Sequence, residues 1–97
     1  MAVAIIQDWL EPETERSTVN YDAISAKLMQ QEPPDGIHVH SAGFTGNGFR
    51  IYEIWESKEH YDRFLEDRLM PLVMEQEGSN PTPPTVTVYE LHNVITF

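Results

Sequence analysis

The sequence predicts an α+β fold of order β-α-β-β-α-β with an antiparallel sheet, and three observations predict it. Apolar residues gather in short stretches of strand length over 3–9, 37–44, 49–56 and 85–92. The segments between the first and second of these, and between the third and fourth, carry apolar residues at helical spacing instead. Thr45-Gly46-Asn47-Gly48 joins the middle pair, and Asn-Gly is a strong short-range signal of a hairpin.

The first strand, residues 3–9, is closed by the acidic, proline-containing stretch 11–16. A helix follows from Thr18, a residue type that caps a helix by accepting a backbone N–H bond. Tyr21, Ile24 and Leu28 recur on one helical face, with Ala23 and Ala26 filling the same surface. Pro33-Pro34-Asp35-Gly36 ends this segment, since no helix continues through it. In residues 49–56, aromatic and β-branched residues alternate with Arg50, Glu53 and Glu56. Ser57 is a good N-cap for the next helix, and Glu59 sits in its first turn, where the helix dipole favours a carboxylate. Tyr61, Phe64, Leu65, Leu69, Leu72 and Val73 mark the apolar stripe of that helix. Pro71 within the stripe predicts a kink, or two successive helices with Pro71 opening the second. A loop over 78–84 leads into the last strand, 85–92. This is the split βαβ, or ferredoxin-like, arrangement, and the 97 residues fit one domain, 1–97.

Sixteen acidic residues against six basic ones give a net charge of −10. Such a field repels phosphate backbones and anionic bilayers, so neither nucleic acid nor a membrane is an expected partner. No stretch approaches the roughly 20 apolar residues of a membrane span. The start, Met-Ala-Val-Ala-Ile-Ile-Gln-Asp, lacks the basic lead-in of a signal peptide, so a cytoplasmic protein is expected. The absence of cysteine excludes disulfides, zinc–thiolate sites and thiol nucleophiles.

The third strand places Phe49, Ile51 and Trp55 on one face, and Tyr52 and Ile54 on the other. Two helices cover only one face of a sheet. The other is therefore expected to meet the sheet of a second subunit, in a homodimer.

The run Gly48-Phe49-Arg50-Ile51-Tyr52-Glu53-Ile54-Trp55-Glu56-Ser57-Lys58-Glu59, with Phe64 after it, resembles the third strand and second helix of the dimeric α/β-barrel superfamily. Its nearest named branch is the antibiotic-biosynthesis-monooxygenase-like group. The Trp55-Glu56-Ser57-x-Glu59 element, Arg68-Leu69-Met70-Pro71 and Val88-Tyr89-Glu90-Leu91-His92-Asn93 are similar to a group of small bacterial proteins of unassigned function. The resemblance implies a homodimeric α/β barrel built from two facing sheets. Among its cofactor-free oxygenases it implies a pocket tryptophan and tyrosine, which Trp55 and Tyr61 match. The asparagine of those enzymes is replaced here by Ile51, which has no hydrogen bond to offer a substrate oxygen. The histidine of the haem-degrading members is replaced by Leu65, which argues against haem as a ligand.

A two-residue turn at Asn47-Gly48 places Phe44 opposite Ile51, Ala42 opposite Glu53 and His40 opposite Trp55. His38, His40, Ala42, Phe44, Ile51, Glu53 and Trp55 then share one face. A four-residue loop keeps that parity, whereas an odd loop or a bulge breaks it. His40 then faces an aromatic wall, with the Glu53 carboxylate on the diagonal about 7 Å away between backbones. A carboxylate fixes a histidine's tautomer and raises its basicity, so His40 and Glu53 are the catalytic candidates. His38, Phe44, Ile51, Trp55 and Tyr61 are the candidate ligand-binding residues, with Tyr61 closing the pocket from the helix. A purely structural role, a core histidine tying the sheet together, stands beside the catalytic one. His38-x-His40 has the spacing of two metal ligands on one strand, but the sequence fixes no third and no metal is assigned. His60 is expected in solvent, and Arg50 in a salt bridge on the opposite face.

Two functions remain. One is a small enzyme without a bound cofactor, of oxygenase, isomerase or cyclase kind, acting on an aromatic or polyketide-like metabolite. The other is a non-catalytic dimeric module that binds a small hydrophobic ligand or is filled by its own side chains. Fold alone does not choose between them.

Overall fold

The computed structural model describes residues 1–11 and 16–97; residues 12–15 of the acidic stretch after the first strand lie outside the described residues. Four strands, β1 (Val3–Leu10), β2 (Ile37–Phe44), β3 (Gly48–Trp55) and β4 (Thr85–Glu90), form one sheet in the order β2-β3-β1-β4. Every neighbouring pair is antiparallel. Helix α1 (Val19–Met29) links β1 to β2, while α2 (Lys58–Phe64), a π-helical turn (Leu65–Leu69) and α3 (Met70–Glu77) link β3 to β4. The arrangement is the expected ferredoxin-like one, with strand ends shifted by a residue or two.

Local chemistry accounts for the helix boundaries. The Ser57 hydroxyl accepts the His60 N–H at 3.2 Å, the expected N-cap of α2. Thr18 does not cap α1: its hydroxyl donates to Asp22 at 2.8 Å, and Ser17 Oγ accepts the Val19 N–H instead. Pro71 has no N–H, and just ahead of it the helix widens, with the Met70 N–H bonding to the Leu65 carbonyl five residues back. This is the break that Pro71 predicted. Gly36, at φ +88°, makes the tight approach of the chain into β2, with the His60 ring packed where a side chain would stand. His60 is therefore not the solvated residue expected. Its Nδ1 pairs with the Ser57 hydroxyl at 2.6 Å.

The helices cover the sheet face that carries Val3 and Ile5 of β1 and Trp55 of β3. These three pack with Tyr61 and Phe64 of α2 into the core, flanked by Leu28, Ile37, Leu65 and Leu69. The opposite face carries Ala4, Ile6, Tyr52, Ile54 and Tyr89. Asp8 and Arg50 form a two-point salt bridge there, at 2.7 and 3.1 Å.

The hairpin departs from expectation in an informative way. Phe44 pairs with Phe49, so the loop has four residues, and neither Asn47 nor Gly48 adopts a positive φ. Gly48 instead opens β3 opposite Leu10, where a Cβ would overlap the Trp9 carbonyl. That position requires glycine for the close approach of β1, not for a turn. The ladder is therefore displaced by two residues from the expected one. An even displacement preserves the faces and changes only the partners: His40 now stands directly opposite Glu53, and Ala42 opposite Ile51.

Candidate functional site

A chain of hydrogen bonds runs from the core to the surface on the helix-covered side of the sheet. Glu53 lies in the middle of β3, and its side chain is only 6% exposed. One of its oxygens, Oε1, accepts the Trp55 indole N–H at 3.1 Å, and the other, Oε2, meets His40 Nδ1 at 2.6 Å. His40, on the neighbouring β2, is 40% exposed, and its Nε2 lies 2.5 Å from the Tyr21 hydroxyl of α1. The donors follow from the chemistry of the partners. A carboxylate only accepts, so Nδ1 carries the imidazole proton, Nε2 is the acceptor, and the Tyr21 hydroxyl donates to it.

Aromatic rings hold this chain in place. The Tyr21 ring lies nearly parallel to the imidazole, 10° apart in plane and 5.9 Å between centres, and packs against Phe49 at 5.5 Å. Phe44 stands edge-on to Phe49 at 5.2 Å and is itself exposed. The Arg16 guanidinium lies over the Phe44 ring at 5.8 Å. Deeper in, Trp55 meets Tyr61 edge-on at 5.7 Å, and the Tyr61 hydroxyl accepts the amide N–H of buried Gln7 at 2.9 Å. Burial and the nearby Glu53 charge push the Tyr61 phenol up to about 12, with a smaller push from Asp62. The Tyr21 phenol is raised too, by burial first and by Glu53 next, partly offset by a hydrogen bond from Ser25.

The sequence-predicted residues divide accordingly. His40 and Glu53 are in direct contact rather than on a diagonal, because of the two-residue displacement of the ladder. His38 does not join them. A bulge between Ile37 and Val39 turns Ile37 into the core and leaves His38 bonded to Glu56 at 2.9 Å. The two histidines thus address different carboxylates. No group of three or more metal-ligating side chains converges among the described residues. Trp55 is fully buried and Tyr61 is buried, so they form the packed floor beneath Glu53 rather than walls of an open pocket. Ile51 is half-buried between Ala42 and Gln7, and Phe44 reaches the surface. A cavity of about 250 Å³ lies elsewhere, lined by Pro34, Asp35, His60, Arg63, Phe64, Asp67 and Arg68.

Two members of the network were not singled out from the sequence. Gln7 has a readable signal, as the one polar residue among Val3, Ile5 and Trp9 at the core-facing parity of β1. Tyr21 had none: it sits at a helical apolar position, and only the crossing of α1 over β2 brings its hydroxyl to His40.

No protein-family model matches the chain, and no curated protein matches its sequence. Solved structures do match its fold. Rv0793 from Mycobacterium tuberculosis superposes with a TM-score of 0.71 at 18% identity, over 99% of this chain and all of that one. An antibiotic biosynthesis monooxygenase superposes with a TM-score of 0.58 at 19% identity, over 96% of this chain and 100% of that one. The heme-degrading protein Rv3592 from Mycobacterium tuberculosis superposes with a TM-score of 0.64 at 12% identity, over 99% and 100% of the two chains. The chain thus has the fold shared by antibiotic-biosynthesis-monooxygenase-like and heme-degrading ferredoxin-like proteins. No helix among the described residues is long and apolar enough to cross a membrane.

Proposed function

We propose that this protein performs acid–base chemistry on a small aromatic or polyketide-like molecule that can form an enol or phenolate, with His40 as its base. One observation carries the reading: a buried carboxylate, Glu53, holds Nδ1 of a surface-reaching imidazole at 2.6 Å. This is the arrangement by which a carboxylate orients a histidine and stabilises the imidazolium formed when it takes a proton. The exposed Phe44 ring stands against Phe49, which packs on the Tyr21 ring stacked over that base, so an aromatic surface leads along β2 towards it. Small-molecule chemistry is also what the names of structurally similar proteins describe, a monooxygenase among them.

A second copy of the chain covers the free sheet face in this reading. On that face the opposed charges of Asp8 and Arg50 neutralise each other. The chain as a whole carries −10, so a face this free of net charge fits self-association.

The competing reading, a non-catalytic binding module, draws on the closely packed Trp55 and Tyr61 beneath the dyad. Deuterium exchange separates the two. β-Tetralone, an enolisable aromatic ketone, is incubated with the protein in heavy water, and loss of its α-proton signals is followed by NMR. The acid–base reading expects exchange above background that falls by about 100-fold in His40→Ala. Background exchange with the intact protein, or equal exchange with the variant, would refute it.

A further inference from the structure

We propose that Tyr21, not His40, is the group that meets the substrate, relaying protons between it and the His40–Glu53 pair; this rests on the acid–base reading above. The geometry points there because neither imidazole nitrogen is free. Nδ1 is committed to Glu53 at 2.6 Å and Nε2 to the Tyr21 hydroxyl at 2.5 Å. A ligand that approached Nε2 directly would have to break the shorter of these two contacts. The Tyr21 oxygen, having given its proton to Nε2, keeps lone pairs that can accept one from outside.

The order carboxylate, imidazole, hydroxyl is the logic of a base-activated hydroxyl, here with a phenol at its outer end. In the forward step, the acidic proton of the substrate passes to the Tyr21 oxygen as Tyr21's own proton passes to Nε2. The substrate becomes an enolate or phenolate, Tyr21 is restored, and the imidazolium is held by Glu53. Reprotonation of the substrate at another atom runs the same transfers backwards, so no proton or electron is left over. Burial and the Glu53 charge favour the protonated phenol, which is the resting form this relay needs.

The ring of Tyr21 is fixed independently of its hydroxyl, by the stack on His40 and the contact with Phe49. Tyr21→Phe therefore removes the oxygen and leaves the packing in place. It is compared with the unmodified protein and with His40→Ala in the β-tetralone exchange assay, with thermal melts to confirm that each variant is folded. The inference expects Tyr21→Phe to lose about 100-fold of the exchange rate while melting within a few degrees of the parent. Exchange that falls in His40→Ala but is undiminished in Tyr21→Phe would overturn the relay and leave His40 as a base acting directly. No exchange by the parent protein, or none lost in His40→Ala, would overturn the acid–base reading and the relay together.

Discussion

Glu53 is the residue on which packing and chemistry both depend, and its replacement separates the two. Glu53→Ala removes both acceptors at once from a side chain that the fold has buried. The Trp55 indole N–H, on a residue with no exposed surface, is then left without a partner, which costs about 1–3 kcal/mol. Loss of the side-chain stem beside the core adds about 1–2 kcal/mol. His40 loses its Nδ1 partner, but at 40% exposure water replaces it and the cost is about 0.5 kcal/mol. The expected loss is thus about 2.5–5.5 kcal/mol, a large share of the roughly 5–15 kcal/mol of a typical domain. Glu53→Gln keeps the volume and an oxygen for Trp55, and its amide N–H faces Nδ1, so it costs only about 1 kcal/mol. It also reverses the imidazole, because Nδ1 must then accept and the proton moves to Nε2. Urea unfolding followed by tryptophan fluorescence, at one fixed protein concentration, gives both values. Equal losses for the two variants, or a loss under about 1 kcal/mol for Glu53→Ala, would refute the role assigned to the buried carboxylate.

Gly48→Ala forces a methyl group into the Trp9 carbonyl and is expected to part β3 from β1, so that the variant is unfolded or strongly destabilised by circular dichroism; a melt like the parent's would contradict it. The alkaline limb of stability should be steep. Tyr61 ionises near 10.0 when unfolded but only at about 12 when folded, so the unfolded state binds fewer protons across that window and stability falls as pH rises through it. Tyr21 acts in the same direction, and neither contributes a slope below the window; urea midpoints across the alkaline range test this. In the proposed dimer, Ile54→Lys places a charge in the middle of the sheet-to-sheet contact, so the parent is expected to sediment as a dimer and the variant as a monomer; identical sedimentation of the two would contradict it.

The fold was legible because its signals are local and redundant. Strand-length apolar runs, a Ser57 cap and Pro71 each specify one boundary, and the chain order then leaves few topologies. The pairing of His40 with Glu53 was legible only in parity. The four-residue loop and the expected two-residue turn place the same residues on the same face, but they differ in which residues touch. The bulge at His38 left no trace in the sequence, since the residues around it read as continuous strand. Gly48 shows how one residue type carries two meanings, a turn former by its neighbour Asn47 and a close-approach residue by its place against Trp9. Tyr21 reads as packing from its helical spacing, and its contact with His40 leaves no mark in the sequence because the partner comes from a distant strand.

The proposed relay needs hydrogen bonds of fixed direction, the Tyr21 hydroxyl donating to Nε2 and Nδ1–H donating to Glu53, and the tautomer of His40 tests this most directly. Long-range proton–nitrogen correlation spectra of the folded protein, with His40→Ala to assign the signal, read which ring nitrogen carries the proton. A protonated Nδ1 and an unprotonated, hydrogen-bond-accepting Nε2 are predicted, with Nε2 shifting in Tyr21→Phe. A proton on Nε2 of the neutral ring would mean that Tyr21 accepts rather than donates, and the relay would not exist.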